Sequence, residues 1–293
     1  MLTHELALRF IKYYPFSHYQ NRTVIGLAAG FDKNCDAISY MHKFGFSFIE
    51  VGSLTPKENK GNRNSKIIKI DHSIINNLGL PNIGIDKAIP KLERAKPKIP
   101  VLVNISPLSD STFQEMQNSV LKIEESNNTS AIVLNLSCPN IFCPEDRIDL
   151  IRLKCHKPLF IKLSPDLPYN QLEEIVTDAV NYDIDGYVLT NSFQTPRGGL
   201  SGRRLRDFSN ATIRTVNKLK EERQIIIGCG GVETSEDVVE KICLGAKYVE
   251  ILTSWILSKN PWYIDNLNKD LKERLKAKNE RQRLKDNDES NNT

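Results

Sequence analysis

The sequence lacks the features that define several protein classes. It contains no run of about 18 apolar residues, so it predicts no membrane-spanning helix. Residues 1–16 have no apolar core followed by small residues, which a secretory signal would require. Glycine, with 15 residues, and proline, with 14, are too scarce for a collagen-like or low-complexity chain. We therefore expect a globular protein of the cytoplasm.

Cysteine spacing and net charge exclude two further classes. Of the six cysteines, only Cys138 and Cys143 lie close together, and no second close pair or histidine pair complements them. We therefore expect free thiols and no metal site. The 40 Lys and Arg residues exceed the 36 Asp and Glu residues by only four, which is too little to indicate a nucleic-acid partner.

Eight apolar, β-rich runs recur from residue 24 onward. Each is a continuous apolar run, a pattern typical of strands that are buried on both faces of a parallel sheet. Amphipathic segments with helical spacing separate the runs and also close the chain. The predicted strands cover residues 24–31, 48–54, 101–106, 131–138, 159–164, 186–191, 224–230 and 248–254.

Eight strand–helix units without a linker predict an α/β fold, a single (β/α)8 TIM barrel with a short N-terminal helix. The alternative is a doubly wound open sheet, although the first strand lacks the G-x-G-x-x-G that such a fold uses for dinucleotides. The predicted organisation is an N-terminal helical segment at 1–23, a barrel at 24–276 and a charged, disordered tail at 277–293. Residues 55–76 are too long and polar for a plain loop and predict a surface hairpin.

Polar side chains collect where the predicted strands end, the edge at which α/β barrels carry their chemistry. Amides dominate there, and they suit a planar ligand edged with alternating C=O and N–H groups. Lysines such as Lys33 and Lys162 offer fixed positive charge, and the glycine turns at 198–202 and 230–231 resemble backbone phosphate sites. A ligand with a phosphate and a polar heteroaromatic ring fits this set, so we predict FMN.

The motifs as a set resemble the dihydroorotate dehydrogenase family. The resemblance covers residues 24–263, in the family's order, and implies an FMN-dependent barrel that oxidises dihydroorotate to orotate in pyrimidine (UMP) biosynthesis. The motifs are AAGFDKN (28–34), IEVGSLTPKENKGN (49–62), NLSCPN (135–140), IKLSPDL (161–167), LTNS (189–192), GGLSGRRLRDFS (198–209) and IIGCGGV (226–232).

The resemblance also implies which residues bind FMN. Its isoalloxazine ring would be lined by residues from the first strands and its phosphate held near the last ones. The implied set is Ala28, Ala29, Gly30, Lys33, Ser53, Asn104, Asn135, Lys162, Thr190, Gly202, Gly231, Leu252 and Thr253.

The same resemblance assigns the substrate site and the chemistry. Cys138 takes the position of the base that removes the C5 proton, Lys33 is a second implied catalytic residue, and the C6 hydride passes to the flavin. A free thiol has a pKa of about 8.5, so nearby positive charge or a water relay must assist Cys138. The implied substrate residues are Lys33, Asn76, Asn77, Leu78, Gly79, Leu80, Asn135, Asn140, Asn191 and Ser192.

The motifs do not all point to one class of the family. Most resemble the quinone-linked class, but that class carries serine at the position of Cys138, where cysteine is typical of the soluble class. We favour a quinone acceptor, with fumarate as the alternative. Residues 1–16 either contact the inner face of the membrane or cap the barrel, and the sequence leaves the oligomeric state open.

Two other functions are compatible with an FMN barrel. A tRNA dihydrouridine synthase also uses a loop cysteine, but it would need an RNA-binding domain after the barrel, where this chain has only a helix and a tail. A degenerate FMN-binding barrel would explain the mixed motifs. We rank it low because every implied catalytic position holds a competent residue.

Overall fold

The computed structural model describes residues 24–137 and 145–290, without the side chains of 145–148 and 277–290. The predicted N-terminal helical segment, Cys138 and Asn140 lie outside the described residues. No helix in the described part of the chain combines the length and the apolarity that crossing a membrane requires.

Eight parallel strands close into a barrel, as the sequence predicts. Around the barrel each strand pairs with the barrel strands that precede and follow it in the chain, and the last strand pairs with the first. This order excludes the doubly wound sheet. The strands are β1 Ile25–Leu27, β2 Ile49–Leu54, β5 Val101–Ile105, β6 Ala131–Asn135, β7 Leu159–Leu163, β8 Gly186–Leu189, β11 Ile225–Cys229 and β12 Tyr248–Ile251.

The barrel strands are apolar on both faces because each face meets protein. Their outward side chains join the helices in the main core, while the inward ones form a second, smaller cluster. Because side chains alternate along a strand, the inward positions lie two residues apart. The inner cluster consists of Phe48, Leu102, Ala131, Val133, Phe160, Val188 and Ile227, with Ile225, Cys229 and Tyr248 packed against it.

Helices fill most intervals between the strands, but two of the predicted helices are only 3-10 turns, Met41–Phe44 and Glu145–Arg152. Before the first of them, the Asp32 carboxylate accepts the backbone N–H groups of Asp36 and Ala37, each at 2.8 Å, and so fixes a local turn. The α-helices are Ile85–Arg94, Phe113–Glu125, Tyr169–Asn181, Arg206–Leu219, Ser235–Cys243, Thr253–Ser258 and Tyr263–Ser290.

The last helix extends into the segment where the sequence predicts a charged, disordered tail. Its backbone is helical as far as Ser290, through most of the segment 277–293. Residues 277–290 contain no Gly or Pro and are rich in Lys, Arg, Glu and Gln, which tolerate helix well. The high charge of this segment therefore does not prevent helix formation.

A small antiparallel sheet lies outside the barrel. The predicted hairpin is confirmed as β3 Ile67–Ile70 and β4 Ser73–Asn76. It is extended by β10 Gly198–Gly202, where the sequence predicts a glycine turn, and by β9 Phe193–Thr195. In the pairing of β10 with β4, Gly199 lies opposite Asn76. The glycine turn and the implied substrate loop, which belong to separate sequence motifs, are therefore neighbours in this sheet.

A buried lysine packs against the carboxyl end of β11. The Lys241 ammonium is almost fully buried and donates to Ser209 Oγ at 2.8 Å and to Asn210 Oδ1 at 3.0 Å. Both acceptors are neutral, and burial lowers the pKa of Lys241 from 10.5 to about 8. A Cβ on Gly228 of β11 would lie 3.0 Å from Lys241 Cδ, so this side chain packs directly under the strand end.

We expect Lys241→Met to change how stability depends on pH. Between pH 8 and 10.5 the unfolded chain binds more protons than the folded one at this site, so the free energy of unfolding of the wild type rises with pH relative to the variant. The full change is about 3 kcal/mol. Urea unfolding of both proteins at several pH values measures it, and a difference that does not vary with pH would contradict the assignment.

Candidate active site

A layer of polar side chains follows the apolar inner cluster toward the carboxyl ends of the strands. On seven strands, the residue two positions after an inward apolar residue is polar or a cysteine. Side chains two positions apart on a strand lie on the same face, so these seven side chains also point inward, at the level of the barrel mouth. The layer consists of Glu50, Asn104, Asn135, Lys162, Thr190, Cys229 and Glu250.

The strongest contact in this layer is a buried ion pair between β7 and β2. Lys162 Nζ lies 2.6 Å from Glu50 Oε2, and both side chains are almost fully buried. Glu50 also accepts Asn104 Nδ2 at 2.5 Å and the backbone N–H of Ala29 at 3.2 Å. One carboxylate on β2 thus connects three other segments of the mouth, namely β7, β5 and the loop after β1.

The pair keeps both groups charged in a buried place. Burial by itself would lower the pKa of Lys162, but the attraction of the nearby Glu50 carboxylate outweighs it and holds the pKa above its ordinary value. Burial would likewise raise the pKa of Glu50, but Lys162 and the hydrogen bonds to Glu50 bring it below its ordinary value. The barrel mouth therefore offers a fixed lysine cation at neutral pH.

Glu250 of β12 is the third member of this cluster and behaves differently. Its Oε2 lies 3.6 Å from Lys162 Nζ, and neither of its oxygens has a hydrogen-bond partner within the described part of the chain. Burial and the neighbouring Glu50 raise the pKa of Glu250 well above its ordinary value, against the opposing pull of Lys162. Glu250 is thus a candidate for a carboxyl group that stays protonated.

Sequence reasoning missed both Glu50 and Glu250. Each is a carboxylate inside an otherwise apolar strand, in FIEVGSL and YVEILTS respectively. A buried charge is costly unless it is paired, so this pattern was the available signal. Lys162 is predicted as a site residue because it too is a charged residue in an apolar strand. Its partners lie on strands distant in sequence, so only the closed barrel identifies them.

A second set of contacts joins amides that lie next to the ion pair, since Asn135 of β6 is paired in register with Lys162 of β7. Asn135 Nδ2 donates to Ser53 Oγ at 2.9 Å, and Asn191 Nδ2 donates to Asn135 Oδ1 at 3.2 Å. Asn191 Nδ2 also reaches the backbone oxygen of Ser137 at 3.0 Å, and its Oδ1 accepts the N–H of Ser192 at 2.8 Å. The structure therefore brings together implied flavin residues and implied substrate residues from β2, β6 and β8.

Two buried atoms among the implied flavin residues have no partner in the described structure, Asn104 Oδ1 and Thr190 Oγ1. A buried polar atom without a hydrogen bond costs free energy, so such atoms indicate groups that a ligand completes. Asn104 offers a hydrogen-bond acceptor, Thr190 a hydroxyl and Lys162 a positive charge, and a planar heteroaromatic ring could bind all three. The residues present thus fit an FMN ring.

The implied phosphate residues also meet. Thr253 Oγ1 donates to Ser201 Oγ at 2.9 Å, and a Cβ on Gly202 would lie 3.0 Å from Thr253 Cγ2. The Ser254 hydroxyl donates to the Val232 carbonyl at 2.7 Å, which joins the loop after β11 to the residues after β12. Gly231 has a φ of +76°, a conformation that favours glycine.

The implied substrate loop, residues 76–80, is held by asparagines from the segment before it. Asn59 Nδ2 donates to the Gly79 and Leu80 carbonyls at 2.8 and 3.0 Å. Asn62 Nδ2 hydrogen-bonds to Asn77 Oδ1. Asn76 lies on β4 beside β10, next to the implied phosphate turn.

The remaining implied residues are placed less tightly. Ala28 follows β1, and its N–H donates to the Ile251 carbonyl at 3.2 Å, next to Leu252. Gly30 lies at the same edge, where an added Cβ would meet Leu252 Cδ2 at 3.4 Å. Lys33 follows in the same loop, and burial lowers its pKa. Leu78 shares the loop held by the asparagines. Cys138 and Asn140 are outside the described residues, so their roles stay predictions.

Comparisons with known proteins agree on one family. A family model described as dihydroorotate dehydrogenase matches residues 15–275. A protein named dihydroorotate dehydrogenase (quinone) from Thermosynechococcus vestitus is 33% identical over 269 residues, which cover 79% of this chain and 73% of that protein. The protein of the same name from Crocosphaera subtropica is 30% identical over 294 residues, covering 87% and 76%.

A solved structure shows the same fold. It is a crystal structure of DHODH in complex with ferulenol from Eimeria tenella, with a TM-score of 0.84 and 27% sequence identity. The match covers 95% of this chain and 92% of that one. The similarity therefore extends over the barrel and over the segments that form its mouth.

We expect Gly231→Ala to weaken FMN binding. The new Cβ would lie 2.4 Å from Arg206 Cα, at a φ where a side chain costs about 1–3 kcal/mol, so the loop must shift. Gly245→Ala is a matched control because its φ is +113° and its Cβ would meet Asn217, but it lies at the other end of β12. Both variants should be less stable, but only Gly231→Ala should lower the FMN-to-protein ratio. Equal flavin loss in both would contradict the assignment.

Proposed function

The chain belongs to the dihydroorotate dehydrogenase family, and from this we infer that it oxidises dihydroorotate to orotate with FMN in pyrimidine biosynthesis. The observation that carries this inference is the family match over residues 15–275, which includes every motif of the barrel mouth. The buried Lys162–Glu50 pair and the joined amides support it because they form a mouth suited to a polar, planar cofactor.

FMN would be held by residues from opposite sides of the mouth. Lys162, Asn104 and Thr190 would contact the ring, since they present a cation, an unpartnered amide oxygen and an unpartnered hydroxyl. Gly202, Gly231 and Thr253 would hold the phosphate through backbone N–H groups and a hydroxyl. When bound, FMN supplies the acceptor for the hydride that leaves dihydroorotate.

The amides would orient the substrate and stabilise charge. Asn135 and Asn191 are already fixed by their mutual hydrogen bond, so their remaining donors and acceptors are preorganised for the carbonyl and N–H groups of a pyrimidine. The pairing of β4 with β10, and of β10 with β9, places Asn76 in the same small sheet as the segment that follows Asn191 and Ser192. Lys33 would pair with the substrate carboxylate, since it is a partly buried cation at the same edge.

We assign the base to Cys138. Ser137, the residue immediately before it, is described, and its backbone oxygen accepts a hydrogen bond from Asn191 Nδ2, one of the implied substrate amides. A thiolate at this position would remove the C5 proton of dihydroorotate. Because a free thiol is mainly protonated at neutral pH, catalysis should accelerate as pH rises toward the thiol pKa.

Quinone is the electron acceptor that the relatives support. The Thermosynechococcus vestitus and Crocosphaera subtropica proteins both have quinone in their names. Peripheral contact of residues 1–16 with a membrane would bring a membrane quinone to this barrel. These residues lie outside the described structure, so the contact is supported only by the sequence.

We expect Cys138→Ala to lower turnover by roughly 10²- to 10⁴-fold, the range typical of a lost general base, while FMN stays bound. Anaerobic mixing with dihydroorotate measures it, since flavin bleaching should become slow. Cys243→Ala is the matched control because Cys243 is an exposed cysteine on an outer helix. Bleaching at the normal rate in Cys138→Ala would disprove the assignment of the base.

The acceptor can be tested on the reduced protein. After anaerobic reduction with dihydroorotate, a soluble quinone should reoxidise the flavin much faster than fumarate does. Stopped-flow absorbance of the flavin gives both rates. Faster reoxidation by fumarate would place the chain with the soluble class instead.

A further inference from the structure

The two carboxyl groups of the polar layer are surrounded very differently. Glu50 accepts three hydrogen bonds, from Lys162, from Asn104 and from the N–H of Ala29. Glu250 accepts none from the described residues, although it is equally buried. Hydrogen bonds and a nearby cation favour the ionised form of a carboxyl group, whereas burial without them favours the protonated form.

Both carboxyl groups compete for the same cation. Lys162 Nζ is 2.6 Å from Glu50 and 3.6 Å from Glu250. Two carboxylates beside one lysine would leave a net negative charge in the barrel, which burial strongly disfavours. One proton on the pair makes the cluster neutral, and the O–H it creates can donate to the other carboxylate.

In the described structure, few titratable groups other than Glu50 and Lys162 lie close enough to Glu250 to exchange a proton with it. β12 pairs with β1 and β11, and β1 contributes only Ile25–Leu27, none of which titrates. Cys229 of β11 interacts with the cluster, but burial raises its pKa to about 12, so it remains a neutral thiol. The charged and titratable groups that face Glu250 in the described structure are therefore Glu50, Lys162 and Cys229.

We propose that Glu50 and Glu250 hold one proton between them, that this proton resides on Glu250, and that Glu250 acts as a positioning residue that leaves Glu50 as the sole counterion of Lys162. Lys162 is then drawn to one side of the mouth, toward β2, instead of being shared between two carboxylates. The role of Lys162 toward FMN rests on the proposed function, whereas the shared proton does not.

Infrared spectroscopy can test the proton directly. Protein labelled with ¹³C at the glutamate carboxyls should show a label-sensitive carbonyl band of a protonated glutamic acid at neutral pH. Glu250→Gln, which keeps the size and removes the proton site, should lose this band. A spectrum unchanged by Glu250→Gln would overturn the proposal, because the proton would then reside elsewhere.

Two further variants test whether the proton is shared. In Glu50→Gln, Glu250 should ionise as the only remaining counterion of Lys162, so the band should disappear although Glu250 is present. In Lys162→Met, neither carboxyl group has a cation, so the band should increase. Persistence of the band in Glu50→Gln would show two independent acids and would overturn the shared proton. If Glu50→Gln does not fold, the Glu250→Gln spectrum still decides whether the proton resides on Glu250.

The flavin potential gives a second readout because it responds to the charge that Glu250 carries. With reduction by dithionite and a reference dye, wild type and Glu250→Gln should have the same midpoint potential at neutral pH, since an amide replaces a neutral acid. A higher potential in Glu250→Gln would mean that a negative charge had been removed, which would overturn the proposal. Because neither experiment uses dihydroorotate, failure of substrate oxidation would count only against the proposed function.

Discussion

The mouth of the barrel depends on the burial of Lys162. A fully buried lysine cation is costly unless it is paired, and Glu50 supplies a carboxylate for Lys162 at 2.6 Å. The same carboxylate also fixes Asn104 and the loop at Ala29. Because Lys162, Asn104 and the Ala29 N–H all contact this one carboxylate, the positions of several mouth residues depend on one ion pair.

The alternation of side chains along a strand connects this pair to the fold. Inward apolar residues such as Phe48 and Phe160 fill the barrel, and the next inward position on the same strand is Glu50 or Lys162. Packing of the apolar layer therefore sets the height of the polar layer above it. Chemistry is confined to the mouth because the barrel below is filled with side chains.

Much of the site could be predicted from the sequence because its members stand beside strand ends. Asn104, Asn135 and Lys162 are recognisable as polar residues in apolar strands, and the glycine turns mark the phosphate side. The small sheet was only half predicted, since β10 pairs with β4 more than 100 residues away in the chain. The local sequence pattern of either segment does not predict such a pairing, because closure of the barrel decides which segments lie side by side.

The sequence by itself determined the barrel, through eight continuous apolar runs, and the family, through motifs in a fixed order. It also determined that lysines and amides would gather at one edge, because parallel strands end on the same side. Only the tertiary structure decided which carboxylates face Lys162. Glu50 and Glu250 are 200 positions apart in sequence, and their different hydrogen-bond surroundings arise only when the closed barrel brings β2, β7 and β12 around one lysine.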